Sequence, residues 1–269
     1  LPAQPAEGRG MNTVRRALVG YVLPPLAAFA VLIAFWEAYI AWKDVSVLVV
    51  PPPSAIVERF FDDPAFFWRE GWWTLYEATL GLLIGSTIAL SVGVAMAYSR
   101  PLERAIFPIA IALKVTPIVA ISPVLVIIFG FGVMPKLTVA TLLCFFPMLV
   151  NATIGFRDVN PAQLEFFRSI HASQWHVFWK LRVPSSLPYV VSALKITYPL
   201  ALTGAVVAEW FSGTRGLGYV IYAAWLNLRT AELFAAIGVL AITGVIIYAA
   251  LSLIEQRLLF WHESVRSIR

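Results

Sequence analysis

At 269 residues, 60% hydrophobic and 13% charged, with a mean hydropathy of +0.80, the chain is too apolar for a soluble domain and reads as an integral membrane protein. Its net charge of +5 comes with no basic cluster interleaved with aromatics, so the composition gives no nucleic-acid partner and casts the bilayer as the partner of the basic residues. The single cysteine, Cys144, lies in an apolar run, excludes an intramolecular disulfide and reads as a packing residue.

Residues 1–16 form a polar N-terminal tail in which Met11 is a candidate natural start and Leu1–Gly10 an upstream remnant. Arg15 and Arg16 precede an apolar run over 17–42, longer than the 7–15-residue core of a signal peptide and therefore an uncleaved anchor. At about 1.5 Å per residue it crosses a hydrocarbon core of about 30 Å. Residues 43–71 form a loop with Pro51-Pro52-Pro53, in which Ser54 is expected to cap a short amphipathic helix, Ala55–Phe61, lying along the outer surface. Glu37, near the outer end of the first span, is interfacial.

Further apolar runs at 72–98, 105–130, 134–156, 188–211 and 232–258 bring the expected spans to six, with Gly130-Phe131-Gly132 joining the third to the fourth. No repeat is visible, so 17–258 reads as one transmembrane domain followed by a polar tail, 259–269. Pro108, Pro117 and Pro123 interrupt the third span, Pro147 the fourth and Pro199 the fifth. Irregular backbone at that depth is tolerated where it packs in protein or lines a watery path.

Lys114, beside Thr116-Pro117 in the third span, costs about 2.5–3.5 kcal/mol to insert. It either lines a conduit, where it suits an anionic solute, or snorkels or pairs inside the bundle. Lys195 in the fifth span has the same two readings, headgroups or path. Glu77 and Glu209 lie within or near the ends of spans, and Glu209 is either part of an outer gate or solvated. Ser122, Thr203 and Asn151 are weaker path candidates, because hydroxyls and amides also glue membrane helices together.

The longest polar interval between spans is 157–188. Asn160 before Pro161, with Gln163 following, signals a helix start, and Leu164, Phe167 and Ile170 give that helix an apolar stripe. Ser173 is placed to cap a second short helix with Trp175, Phe178 and Trp179 on one face. Arg168, Lys180 and Arg182 add a basic rim, so the interval has the character of a docking surface.

Basic residues settle the expected orientation. The loops on the N-terminal side hold Arg9, Arg15, Arg16, Arg100, Arg104, Arg157, Arg168, Lys180, Arg182, Arg257, Arg266 and Arg269, against Lys43, Arg59, Arg69, Lys136, Arg215 and Arg229 on the other. This bias puts both termini and the 157–188 loop in the cytoplasm. Gly213, Gly216 and Gly218 shape a turn before the last span. His171, His176 and His262 show no metal-ligand spacing, no Ser/His/Asp set is suggested, and G-x-x-x-x-G-K-[ST] does not occur. No metal, cofactor or catalytic residue is expected in this chain, and energy must arrive from another subunit.

Over roughly residues 45–260 the chain resembles the permease subunits of ABC importers, of the nitrate/sulfonate/taurine type. The resemblance rests on VVPPPSAIVERF (49–60), FFPMLVNATIGFRDVNP (145–161), GAVVAEWFSGTRGLGYVI (204–221), the pairs Val183-Pro184 and Leu187-Pro188, and an EAA-type loop. In that loop Glu165-Phe166-Phe167 replaces Glu-Ala-Ala and His171 stands at the glycine position, where it tolerates a left-handed turn less freely.

The resemblance implies an all-α, type I importer fold of about six transmembrane helices with a cytoplasmic coupling-helix loop, in a bacterial inner membrane. It further implies a second permease copy as a homodimer, two cytoplasmic ABC ATPases holding ATP and Mg, and an extracytoplasmic solute-binding protein docking on 43–71 and 212–231. Leu164, Glu165, Phe167, Arg168, His171, Trp175, Phe178, Lys180 and Pro184 would couple to the ATPase; Lys114, Thr116, Ser122, Lys195 and Glu209 are the path candidates. Nitrate, alkanesulfonates, taurine, bicarbonate or a thiamine-precursor pyrimidine are the implied solutes. A stand-alone secondary transporter or channel, and an intramembrane enzyme, are the competing classes; six spans without an inverted repeat are sparse for the former.

Overall fold

Inside a bilayer every backbone amide needs a partner within its own segment, and these apolar runs meet that demand as helices. A computed structural model describes residues 23–259, so the readings for the N-terminal tail, Met11, the start of the first span and residues 260–269 with His262 lie outside the described residues. In chain order the helices are α1 (Leu23–Lys43), α2 (Pro53–Asp62), α3 (Pro64–Tyr98), α4 (Arg100–Val115), α5 (Ile118–Phe129), α6 (Val133–Arg157), α7 (Pro161–Ser169), α8 (Gln174–Val177), α9 (Val183–Ser212), α10 (Leu217–Leu226) and α11 (Thr230–Leu258). Five of these segments are long and apolar enough to cross a membrane, and the pair α4–α5 makes six if its two arms count as one span. The protein is an all-α, multi-pass membrane protein.

The centre of the bundle is α3, α6 and α9. Ala78 and Leu82 of α3, Ala140 and Cys144 of α6, and Ala201 and Ala205 of α9 form one buried cluster. Such small residues let helices approach closely where lipid offers no hydrophobic drive for association. A Cβ on Gly81 would lie 2.4 Å from the Ala140 Cβ, and one on Gly93 2.7 Å from that of Ala152. The Thr141 hydroxyl donates to the Gly81 carbonyl at 3.1 Å across the same contact. Nearer the 157–188 loop, Met96, Ala110, Met148 and Ala193 continue the core. Beneath α10 and α11 a separate cluster joins Phe67, Leu217, Val220, Ala235 and Ala236.

Helix α1 stands apart, with Ile40 its only buried residue. Trp36 meets Phe234 of α11, and Glu37 accepts from both the Ser54 amide (3.0 Å) and the Ser54 hydroxyl (2.7 Å). This corrects the expected cap. Pro52 is the extended N-cap residue and Pro53 the first helical one, so Ser54 falls inside the first turn and binds Glu37 instead.

Three further elements differ from the expectation. The third span is not continuous: it bends by 98° between α4 and α5, at Thr116-Pro117, while Pro108 and Pro123 remain inside their helices. Proline disfavours helical backbone at the residue before it, and Thr116 is extended (φ −65, ψ 125). The second helix of the 157–188 loop is not separate: α8 runs through a π-helical turn, Phe178–Arg182, directly into α9. The 212–231 interval contains α10, ten apolar residues too short to cross.

Candidate functional site

The 157–188 loop is built at one end of the bundle, hereafter the loop end. The Asn160 side chain accepts from the Ala162 amide at 2.9 Å, starting α7. Helix α7 buries none of its residues. His171 closes it with φ +50, in the left-handed region, while the His171 and Ala172 amides donate to Arg168 and Phe167 carbonyls, both at 3.0 Å. The conformation that glycine would supply is therefore adopted by histidine. Ser173 starts α8 by accepting from the His176 amide at 3.4 Å.

The aromatic side chains divide into two sets. Phe166, Ile170, Trp175 and Trp179 are 61%, 56%, 68% and 50% exposed, and Phe166 lines the cleft described below. Phe178 points inward and stacks on Phe156 of α6, centroids 5.7 Å apart and planes 7° from parallel, with Trp175 on its other side at 6.3 Å. Leu164 and Phe167 are half-buried, and Glu165, Arg168 and Lys180 are exposed and make no ion pair among the described residues. Between α7 and the root of α9 lies a cleft of about 1130 Å³, lined by Asn160, Gln163, Phe167, Lys180, Pro184 and Tyr189 among others. The Tyr189 hydroxyl donates to Asp158 on its rim.

Two arginines join the loop to the bundle. Arg157, the last residue of α6, grips Glu103 of α4 through two bonds of 2.8 Å and also donates to the Met96 (2.5 Å) and Ala97 (3.5 Å) carbonyls at the end of α3. Arg182, at the end of the π-helical turn, donates to the Phe156 carbonyl at 2.7 Å and lies 4.7 Å above the Tyr98 ring. Cations placed at helix C-termini oppose the helix dipole favourably and satisfy carbonyls that lack an intrahelical partner.

The path candidates are scattered. Lys114 is exposed at the end of α4, its ammonium 4.6 Å from the Phe146 ring centroid, and has no carboxylate partner among the described residues. Thr116 and the buried Ser122 turn back onto their own helices, at the Ala112 and Ile118 carbonyls. Thr203 and Asn151 do the same at Pro199 and Pro147. Lys195 is paired with Glu255 of α11 at 2.6 Å.

Glu209 lies at the opposite end, in a buried polar knot. Its carboxylate accepts from the Thr74 hydroxyl (2.8 Å) and the Gly218 amide (2.6 Å), while Glu70 accepts from the Gly216 amide (2.9 Å) and Thr74 from the Leu217 amide (2.8 Å). Lys136 pairs with Glu77 at 2.8 Å and donates to the Arg215 carbonyl at 3.3 Å. Gly216 turns the chain with φ +104, and a Cβ there would sit 2.0 Å from a Glu209 carboxylate oxygen. The sequence places Lys136 among the basic residues of the outer loops and gives no local signal for Glu70 or Thr74. Glu77 was the available signal, since a carboxylate in an apolar run demands a partner. Among the described residues no cluster of His, Cys, Asp and Glu is arranged to hold a metal ion.

Residues 81–264 match the family described as binding-protein-dependent transport system inner membrane component. The chain belongs to this family. It is 31% identical over 242 residues to the formylaminopyrimidine transport permease protein of Halalkalibacterium halodurans, covering 90% of this chain and 96% of that protein. It is 30% identical over 250 residues to the putative aliphatic sulfonates transport permease protein of Bacillus subtilis, covering 91% and 88%. The fold matches an inward-facing structure of the MetNI methionine ABC transporter with a TM-score of 0.62 at 20% identity, over 70% of this chain and 93% of that one. As a member of the family the chain is an ABC importer permease of binding-protein-dependent transport.

Proposed function

We propose that this permease forms the translocation path of an ATP-driven importer for a small anionic solute such as an alkanesulfonate, taurine, nitrate or bicarbonate. Two copies surround the path, two cytoplasmic ATPases grip the two 157–188 loops, and an extracytoplasmic binding protein delivers solute at the opposite end. The basic-residue bias supports both termini and the loop being cytoplasmic. The observation that carries the reading is the loop itself: four exposed apolar side chains, Phe166, Ile170, Trp175 and Trp179, bordered by Arg168 and Lys180. Exposed aromatics with nearby basic residues are the composition of a protein-docking surface.

For the solute, Lys114 supports an anion: Lys136 and Lys195 are neutralised by Glu77 and Glu255, whereas the Lys114 charge is met only by an aromatic face. A neutral thiamine-precursor pyrimidine is the second reading, favoured by the similarity to the formylaminopyrimidine permease. Uptake in proteoliposomes containing permease, ATPase and binding protein tests both. Trp175→Arg is expected to weaken co-purification of the ATPase and to abolish ATP-driven uptake. Lys114→Gln is expected to reduce uptake of an anion while leaving that of a neutral pyrimidine intact. Uptake with this polypeptide as the sole protein overturns the proposal.

A further inference from the structure

Resting on that reading, we infer that the two halves of the loop have separate tasks: α7 grips the ATPase, and α8 with its π-helical turn is the lever that moves the bundle, with Phe178, Arg182 and Arg157 as positioning residues at the joint. The contacts of the two halves differ in kind. Helix α7 buries nothing, is joined to α6 through Asp158–Asn160, and faces the α9 root across an open cleft. A helix with no buried residue has few packed contacts through which to pass a displacement. Helix α8, by contrast, is continuous with the spanning helix α9, and Val177 and Leu181 are buried against the bundle.

The joint reaches every neighbouring helix end. Trp175 stacks on Phe178, which stacks on Phe156, so a push on the exposed indole passes towards α6 through two stacked ring pairs. Arg182 bonds the Phe156 carbonyl and covers Tyr98, tying the α9 root to α6 and α3. Arg157 then ties α6 to α3 through Met96 and Ala97 and to α4 through both oxygens of Glu103. A bidentate guanidinium–carboxylate pair is directional, so it carries rotation as well as translation. The wide turn at Phe178–Arg182, closed by the Val183 amide on the Phe178 carbonyl, sits where the lever meets the span. Such turns interrupt the regular helix ladder and recur at functional positions. The Nε of Arg182 is buried without a hydrogen-bond partner among the described residues, which leaves the joint a donor able to engage a second acceptor when the lever moves.

The test uses the whole complex of permease, ATPase and binding protein in proteoliposomes, with ATPase co-purification, ATP hydrolysis and solute taken up per ATP as separate readouts. Arg182→Gln and Phe178→Leu are expected to keep the ATPase bound and hydrolysing while uptake per ATP falls about 3- to 30-fold, the range that coupling residues command. Phe178→Leu retains apolar bulk and breaks only the parallel stack, so it carries the test if Arg182→Gln does not assemble. Phe166→Arg on α7 is expected to lose the ATPase itself. Wild-type uptake per ATP in Phe178→Leu, or loss of bound ATPase in step with uptake, overturns the lever while leaving the permease reading intact. ATPase retained by Phe166→Arg and Trp175→Arg alike defeats the underlying docking reading.

Discussion

At the end of the bundle opposite the loop, Glu70, Thr74 and Glu209 reach into the chain turn and bind the amides of Gly216, Leu217 and Gly218. At the loop end, Arg157 and Arg182 reach for carbonyls at the ends of α3 and α6 and for the Glu103 carboxylate. Each end thus places the charge that its helix termini attract, anions at the N-terminus of α10 and cations at the C-termini of α3 and α6. They differ in burial: Glu77, Lys136 and Glu209 are sealed in protein, whereas Arg157 and Glu103 are each about a third exposed on the side chain. A sealed charge network costs much to disturb and holds one arrangement. A half-wet clamp beside exposed aromatics can be loaded by a partner and change its geometry at lower cost.

The sharpest way to break this contrast is Lys136→Met, which strands Glu77 in the sealed knot. It is expected to destabilise the isolated permease by about 3–5 kcal/mol, read from reversible unfolding in detergent. A loss no larger than that of a surface substitution would show that the knot is wet and the two ends alike. Next comes Gly216→Ala, which puts a side chain at φ +104 against Glu209. A cost of about 1–3 kcal/mol in the same assay is expected from the backbone strain.

The loop-end counterpart moves a different quantity. Trp175→Ala should leave permease stability within about 0.5 kcal/mol while weakening ATPase binding by about 2 kcal/mol, measured by titration of purified ATPase. Smallest is His171→Gly. Relief of the left-handed backbone is offset by greater freedom of the unfolded chain, and the net change is expected within about 1 kcal/mol, with ATPase binding unaltered.

Hydropathy made the spans legible, because an apolar run near 20 residues has few alternatives to crossing a bilayer. The loop was legible too: Asn160, Ser173 and His171 each did locally what their chemistry favours, through two side-chain caps and one left-handed turn. What escaped depends on contacts between residues far apart in sequence. Lys136 and Glu77 are 59 positions apart, and nothing local distinguishes a lysine entering the bundle from one in a loop. Phe178 shares a face with Trp175 and Trp179 by periodicity, yet it is the ring that meets Phe156 of α6, a contact 22 positions away that local spacing does not reveal. Proline frequency in the third span indicated irregularity, but three prolines gave no means of choosing Thr116-Pro117 as the place of the 98° bend.

The close seam between α3 and α6 limits how this protein changes shape. With Gly81 and Gly93 pressed against Ala140 and Ala152, either helix would have to climb over a neighbour's methyl groups to slide, so the two behave as a keel. Helices α4 and α5 meet that keel on separate arms, and at the elbow between them Thr116 still donates its amide to the Ala112 carbonyl at 3.1 Å while its own ψ of 125 turns the chain out of the helix. A change of shape that keeps this seam closed moves α3 and α6 as one body and leaves the 98° bend at Thr116-Pro117 outside it.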